Sequence, residues 1–428
     1  MNILMFSSYD LSGGAARAAY RLHETFRRNG HRSELIVRQK KSVDDNVYRA
    51  APPLFKRNWL VDIQRTVPCL RRGRLPRLGT KFNVDRPPFL SKKVLFRFPP
   101  DAFDFLCLAW INDFLSIKMI RALYDHYRRP LLWILMDQEP VTGGCHYSQG
   151  CDGFKKQCGC CPQLESRREA DPSRTIWQRK RSYLSGLPII FIAPTTWTAE
   201  RVRESSLYSG NAVRSIPLVI DSDVFRPFNR DRARGILGLP LHKKIIFFGA
   251  FSLAEPRKGM SYLIRALENL AVMLRVQDLG FTAQDLLLLI GGQSRAPLLN
   301  SLPFGYKHLG YIRDDKILAR AYQAADVFVS PSIEDAGPMM IPEAMMCGTP
   351  VVAFPTGGAP DLIQTMKNGY LAADRDSADM AKGLSAILRS AIAPDLGKNA
   401  SAAARQRHSS EAVMRLYADL FEEWKARP

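Results

Sequence analysis

The chain has 428 residues, enough for two α/β domains of ordinary size rather than one core. Hydrophobic residues make up 46% and charged residues 24%, which excludes large-scale disorder, and no apolar run approaches the roughly 18 residues a membrane span needs. The opening Met-Asn-Ile-Leu-Met-Phe lacks a basic lead and a cleavage site, so a cytoplasmic location is expected. The formal net charge is +20, and half of that excess falls in one segment.

In chain order, Asn2 to Phe6 reads as a strand, Ser12-Gly13-Gly14 as a turn, Ala15 to Asn29 as a helix and Ser33 to Val37 as a second strand. That order is one βαβ unit of a parallel sheet. The glycines let a phosphate or acceptor approach the backbone, and Arg17 lies on the helix that follows. Between Lys56 and Arg97 stand twelve basic residues against Asp62 and Asp85, interleaved with Trp59, Leu60, Ile63, Val67, Leu70, Leu75, Leu78 and Phe82. This pattern suits an anionic membrane surface. Nucleic acid would attract the same charge, but no binding motif for it accompanies the segment; a solvated loop is the plainer alternative.

Further strands are expected at Phe105 to Ala109, Leu131 to Leu135 and Ile189 to Ala193. Between the last two lies a cysteine-rich insert, residues 142–164, in which Cys145, Cys151, Cys158 and Cys161 supply four thiols with Cys160 spare. In a reducing compartment such spacing favours a structural zinc ion over disulfides, with free buried thiols as the alternative.

A second start comes at Lys244 to Phe248, followed by Gly249 and a helix from Met260 with Leu263, Leu267, Leu270 and Leu274 on one face. Strands follow at Leu286 to Ile290, Val327 to Val329 and Val351 to Phe354, with the boundary between domains in the loop from Ile216 to Pro227. The last helix, Ser410 to Trp424, is amphipathic through Val413, Leu416, Leu420 and Phe421.

The loop Pro331 to Pro338 is rich in acids, Gly and Pro and runs into an apolar helix starting near Met339 to Ile341. Asp335 falls in the loop and Glu343, with seven residues between the two, in the first turns of the helix. One carboxylate can then face a sugar and the other a ribose hydroxyl, while free amides at the helix start suit phosphate oxygens. Two solvated acids near a helix start would read the same way.

With Glu-Ala-Met-Met-Cys-Gly-Thr-Pro-Val-Val and Gly357-Gly358-Ala359-Pro360-Asp361-Leu362, the stretch Ser330 to Pro360 resembles the donor-site signature of glycosyltransferase family 4, in its colanic-acid and capsular-polysaccharide branch. The resemblance implies the GT-B fold, two Rossmann-like doubly wound domains facing a cleft, with retaining transfer and no catalytic metal. It also implies that Glu343 holds the donor ribose, that Asp335 or Glu334 contacts sugar hydroxyls, and that amides around Gly337, Pro338, Met339 and Met340 hold the diphosphate. Phe248-Gly249-Ala250 followed by Pro256-Arg257-Lys258-Gly259 resembles the same family's glycine turn and lysine, so Lys258, with Arg257, would neutralise the leaving diphosphate. Gly13 and Gly14 resemble its N-terminal glycine loop.

The branch places a histidine before Trp110 and another before Asp137, where this chain has Ala109 and Met136. Asp137, Glu139 or His146 would then orient or deprotonate the acceptor. The resulting expectation is a hexosyltransferase with residues 1–217 binding acceptor, 218–400 binding a UDP- or GDP-sugar and 401–428 as a helix packing across the hinge. Its partners would be a glycan, lipid-linked at the inner face of the cytoplasmic membrane, and an anionic surface met through residues 56–97. A catalytically silent homologue that scaffolds a membrane assembly is the alternative; an epimerase or phosphorylase of the same fold is a third.

Overall fold

The computed structural model describes residues 1–50, 91–293, 296–389 and 393–426. The basic and aromatic residues from Lys56 to Arg86 therefore lie outside the described residues, whereas Arg97 stands 3.9 Å over the Tyr48 ring. Two compact units result, Met1–Ile216 and Pro217–Pro428.

The first unit holds a parallel sheet built from β1 (Asn2–Tyr9), β2 (Arg32–Gln39), β3 (Val47–Arg49), β4 (Phe105–Leu108), β5 (Leu131–Ile134), β6 (Ile189–Ala193) and β7 (Ala212–Ser215). Their order is β3-β2-β1-β4-β5-β6-β7. Central strands such as Phe105-Leu106-Cys107-Leu108 are wholly buried, which is why the sequence shows continuous apolar runs rather than alternation. The direction of winding reverses between β1 and β4, whose register pairs Ile3 with Phe105 and Phe6 with Leu108. In a doubly wound sheet the crevice for ligands opens at the carboxyl ends of the strands at such a point.

The second unit repeats the plan with β8 (Lys244–Ser252), β9 (Leu286–Gln293), β10 (Tyr306–His308), β11 (Val327–Ser330), β12 (Val351–Ala353) and β13 (Gly369–Leu371), ordered β10-β9-β8-β11-β12-β13. Its switch point lies between β8 and β11. The helix Met260–Val276 buries Leu263, Leu267 and Leu270 as the spacing predicts, with Leu274 packed at the margin of the same core.

The last helix, Ser410–Lys425, corrects one expectation. Leu416 is 38% exposed, and the buried face runs instead through Val413, Tyr417, Leu420 and Phe421. A step of four from Val413 reaches Tyr417 rather than Leu416, so an aromatic residue with a polar tip takes the place assigned to leucine. Among the described residues no helix is long and apolar enough to cross a membrane.

Candidate active site

The second unit gathers its candidate residues from four segments at the carboxyl ends of β8 and β11. Gly249 lies within β8, Arg257 and Lys258 form the short turn Pro256–Lys258, Glu334 to Met339 lie in the loop after β11, and Glu343 lies in the helix Met340–Met346. Close backbone contacts hold these segments together. The Ile333 amide donates to the Arg257 carbonyl at 2.9 Å, and the Arg257 guanidinium reaches the Glu334 carbonyl at 3.2 Å. Gly259 has φ +72°, and a Cβ there would stand 1.8 Å from the Pro331 carbonyl oxygen, so the basic turn can sit against the acidic loop only with glycine at that place. A Cβ on Gly249 would likewise meet the Met340 methyl at 2.5 Å.

Asp335 is buried at 5% exposure and forms an ion pair with Lys258; its second cation, the Arg257 guanidinium, lies at 3.3 Å. Burial works to raise the Asp335 carboxyl, but Lys258 and Arg257 outweigh it, with help from the Gly337 amide, and hold the group below the usual carboxylate range. Glu343 is buried as well, and the Tyr322 hydroxyl donates to its Oε2 at 3.0 Å. Tyr322 lies in the helix Asp315–Ala324, a partner that no motif in the sequence announces. Asp335 and Glu343 thus sit in the loop and helix foreseen. The Gly337 amide, foreseen as a phosphate donor, here donates to Asp335 at 3.3 Å.

The first unit holds a different arrangement at the carboxyl ends of β4 and β5. A small hollow, open to solvent, is lined among others by Ala109, Trp110, Met136, Asp137, Glu139 and His146. Asp137 Oδ2 lies 2.6 Å from His146 Nδ1 and accepts from the Trp110 indole N–H at 3.0 Å, while Oδ1 accepts from the Glu139 amide at 2.9 Å. Burial pushes this carboxyl up, but the His146 ring and those N–H groups together keep it below its ordinary value. An ionised carboxylate only accepts, so Nδ1 carries the proton toward Asp137, and in the neutral ring Nε2 is the accepting nitrogen.

Behind the hollow, Lys180 is 1% exposed and donates to Glu139 Oε1 at 2.8 Å and to the Thr142 carbonyl at 3.1 Å, and it also reaches the Glu139 carbonyl. A lysine amid the charges of an outwardly polar helix, Pro172–Leu184, gave no sequence signal for this role; only its apolar neighbours Ile176, Trp177 and Leu184 mark the buried face.

The insert that follows brings its cysteines together. Burial, together with the mutual proximity of the thiols, raises Cys145 and Cys161 and pushes Cys158 up to about 11, while N–H groups of Gly143 on Cys158 and of Gln163 and Leu164 on Cys161 act the other way. Gly143 fits closely here, since a Cβ would come within 2.9 Å of the Cys158 sulfur. Among the described residues, however, no three His, Cys, Asp or Glu side chains are arranged to hold a metal ion. Gly13, with φ +91°, precedes the helix Gly14–Arg28 that carries Arg17, and a Cβ at either glycine would meet nothing within 4 Å.

Residues 242–390 match the family model described as glycosyl transferases group 1. This part of the chain is similar to group 1 glycosyl transferases. It contains Gly249, Arg257, Lys258, Asp335 and Glu343, the whole constellation of the second unit. The chain is 30% identical over 226 residues to the D-inositol 3-phosphate glycosyltransferase of Saccharomonospora viridis, a match covering 48% of this chain and 50% of that relative. It thus spans about half the length of the curated relatives it matches.

In structure the chain resembles the sucrose-phosphate synthase of Thermosynechococcus elongatus, with TM-score 0.67, 18% identity and 100% of both chains covered. It also resembles the Anabaena protein Alr3699/HepE solved with UDP and glucose, with TM-score 0.65 and 17% identity over 99% of this chain and 100% of that one. The fold is GT-B, and the stretch that matches the family model lies in its second α/β unit.

Proposed function

We propose that the protein is a retaining glycosyltransferase that moves a hexose from a UDP- or GDP-sugar to a hydroxyl of a glycan, lipid-linked in surface polysaccharide assembly. The observation that carries this reading is the pairing of Arg257 and Lys258 with Asp335 beside the buried Glu343, at the carboxyl ends of β8 and β11 inside the matched domain. A diphosphate would take the two cations as partners, and Asp335, so released, would face a sugar hydroxyl. As charge grows on the departing diphosphate, Lys258 and Arg257 stabilise it most in the transition state. Glu343, held by Tyr322, would accept from a ribose hydroxyl. The relative from Saccharomonospora viridis is named for D-inositol 3-phosphate, which supports a hydroxyl on a phosphorylated acceptor.

Thermal-shift measurement with UDP, GDP and their hexose conjugates tests the donor, since a ligand at a hundred times its dissociation constant stabilises by about 2.7 kcal/mol. Stabilisation by neither nucleotide overturns the reading. A catalytically silent binder is the second reading, favoured by Ala109 and Met136 in the hollow of the first unit. Release of UDP or GDP in the presence of any acceptor excludes it.

Two further parts of the proposal rest on other segments. Residues 56–97 would hold the protein on the anionic inner face of the cytoplasmic membrane, to be read from sedimentation with vesicles with and without anionic lipid. The four thiols of Cys145, Cys151, Cys158 and Cys161 would hold a structural zinc ion after side-chain rotation, supported by the amides of Gly143, Gln163 and Leu164 aimed at two of the sulfurs. Elemental analysis of the purified protein giving no zinc, with four titratable thiols, rejects that site.

A further inference from the structure

We infer that Lys180 is a positioning residue for the transfer reaction: its buried ammonium sets the turn from Glu139 to Thr142 and, through that turn, the place of Asp137. The kinetic part of the inference rests on the glycosyltransferase reading above; the structural part stands on the contacts of the first unit.

An ammonium group has three N–H donors and no acceptor. At Lys180 three acceptors meet it, all from one stretch of four residues: Glu139 Oε1 at 2.8 Å, the Thr142 carbonyl at 3.1 Å and the Glu139 carbonyl. Two of them are main-chain oxygens, so the contact fixes backbone as well as charge. A lysine that served only to balance the Glu139 carboxylate would need just one. Lys180 is 1% exposed and shares the buried face of the helix Pro172–Leu184 with Ile176, Trp177 and Leu184, which gives the ammonium a fixed origin.

The turn it grips lies between two residues that meet. Asp137 stands before it and His146 after it, and their side chains approach to 2.6 Å although they are nine residues apart in the chain. The Gln138 amide closes this loop by donating to the His146 carbonyl at 3.0 Å, and the Thr142 hydroxyl ties the turn to the returning limb through the Cys145 carbonyl at 2.8 Å. Within the loop the Glu139 amide donates to Asp137 Oδ1 at 2.9 Å. Lys180 therefore holds residue 139 by its carbonyl while the amide of the same residue holds Asp137. A shift of the turn carries the amide with it, and Asp137 follows. The Trp110 indole N–H, which reaches Asp137 Oδ2 at 3.0 Å from the end of β4, is a separate mark against which such a shift can be read.

Lys180→Met alone leaves the Glu139 carboxylate buried without its cation, which weakens the fold itself. The full chain is therefore made with Lys180→Met and Glu139→Gln together, removing both charges, and compared with Glu139→Gln. Exchange of the Trp110 indole proton with deuterated solvent is followed by 15N NMR, with Trp110→Phe assigning the signal. The double variant should have a higher denaturation midpoint than Lys180→Met and keep the wild-type thermal shift with UDP or GDP. Its indole proton should nevertheless exchange faster than in Glu139→Gln. With a competent donor and acceptor, its kcat for nucleotide release should fall about 10²-fold below that of Glu139→Gln, the size expected of a misplacement near 1 Å, with the donor KM little changed. Indole exchange and kcat equal to those of Glu139→Gln overturn the positioning role. A double variant that does not fold overturns it too, since the pair would then serve the fold rather than the placement of one residue. Absence of UDP or GDP release by the wild type with any acceptor marks failure of the glycosyltransferase reading instead, and the indole exchange then decides the structural part.

Discussion

Asp335 and Asp137 are both buried, and both are held below the ordinary carboxylate range, yet by opposite means. Two cations face Asp335, whereas Asp137 is held by one imidazole and two neutral N–H groups. A pair of cationic side chains is what a diphosphate can recruit for itself, leaving the carboxylate to another partner. A carboxylate held by an indole and a backbone amide has no partner that a ligand would take away. The two aspartates therefore differ in kind: the first belongs to an exchangeable set, the second to a fixed frame.

That distinction can be broken at several places. The largest effect should come from Lys180→Met, which leaves the Glu139 carboxylate buried without its ammonium partner; the denaturation midpoint should fall by the equivalent of about 3–5 kcal/mol. An unchanged midpoint would mean that the frame around Asp137 does not depend on this lysine. On the exchangeable side, Lys258→Ala and Glu343→Ala should each lower nucleotide release with a competent donor and acceptor by about 10²–10³-fold. Full activity in either variant removes the second unit's constellation from the mechanism.

Acid should then distinguish the two frames. A carboxyl with a depressed folded pKa contributes stability in full above its unfolded value, near about 3.9, and loses it as pH falls through the folded value. Asp335→Asn should flatten the acid limb of the midpoint-versus-pH curve, and saturating nucleotide, by drawing Lys258 away from Asp335, should flatten the wild-type curve in the same sense; an acid limb unchanged by nucleotide would mean that the ion pair persists in the complex. The smallest effect belongs to Tyr322→Phe, about 1 kcal/mol in stability, because one hydrogen bond to Glu343 is lost while the ring packing against Phe247 and Phe328 stays. A larger rise in the nucleotide dissociation constant than in instability would identify Tyr322 as the residue that aims Glu343.

The sequence displayed the central strands plainly, because strands buried on both faces, such as Leu131-Leu132-Trp133-Ile134, are written as unbroken apolar runs. The edges were not legible: β3, β7, β10 and β13 are three or four residues long and partly exposed, so neither length nor pattern sets them apart from loop. In the second unit the loop and helix carrying Asp335 and Glu343 could be read from glycine, proline and acid content. Their partners could not. Tyr322 stands twenty-one residues before Glu343 and Lys258 seventy-seven before Asp335, and only folding brings such pairs into reach. The same holds for Trp110 and Asp137, twenty-seven residues apart.

The brevity of the edge strands has a bearing on how the protein behaves in company. An exposed strand is a template on which another chain can add itself, and the hazard grows with the number of unpaired backbone groups in a row. Among the described residues the sheet edges offer three or four residues each, and Arg49, Arg214 and Lys307 stand on three of them. Strongly basic molecules would bring like charges together at the place where strands would have to pair. The architecture thus concentrates its long, adhesive strands in the middle of each sheet and leaves its margins resistant to aggregation.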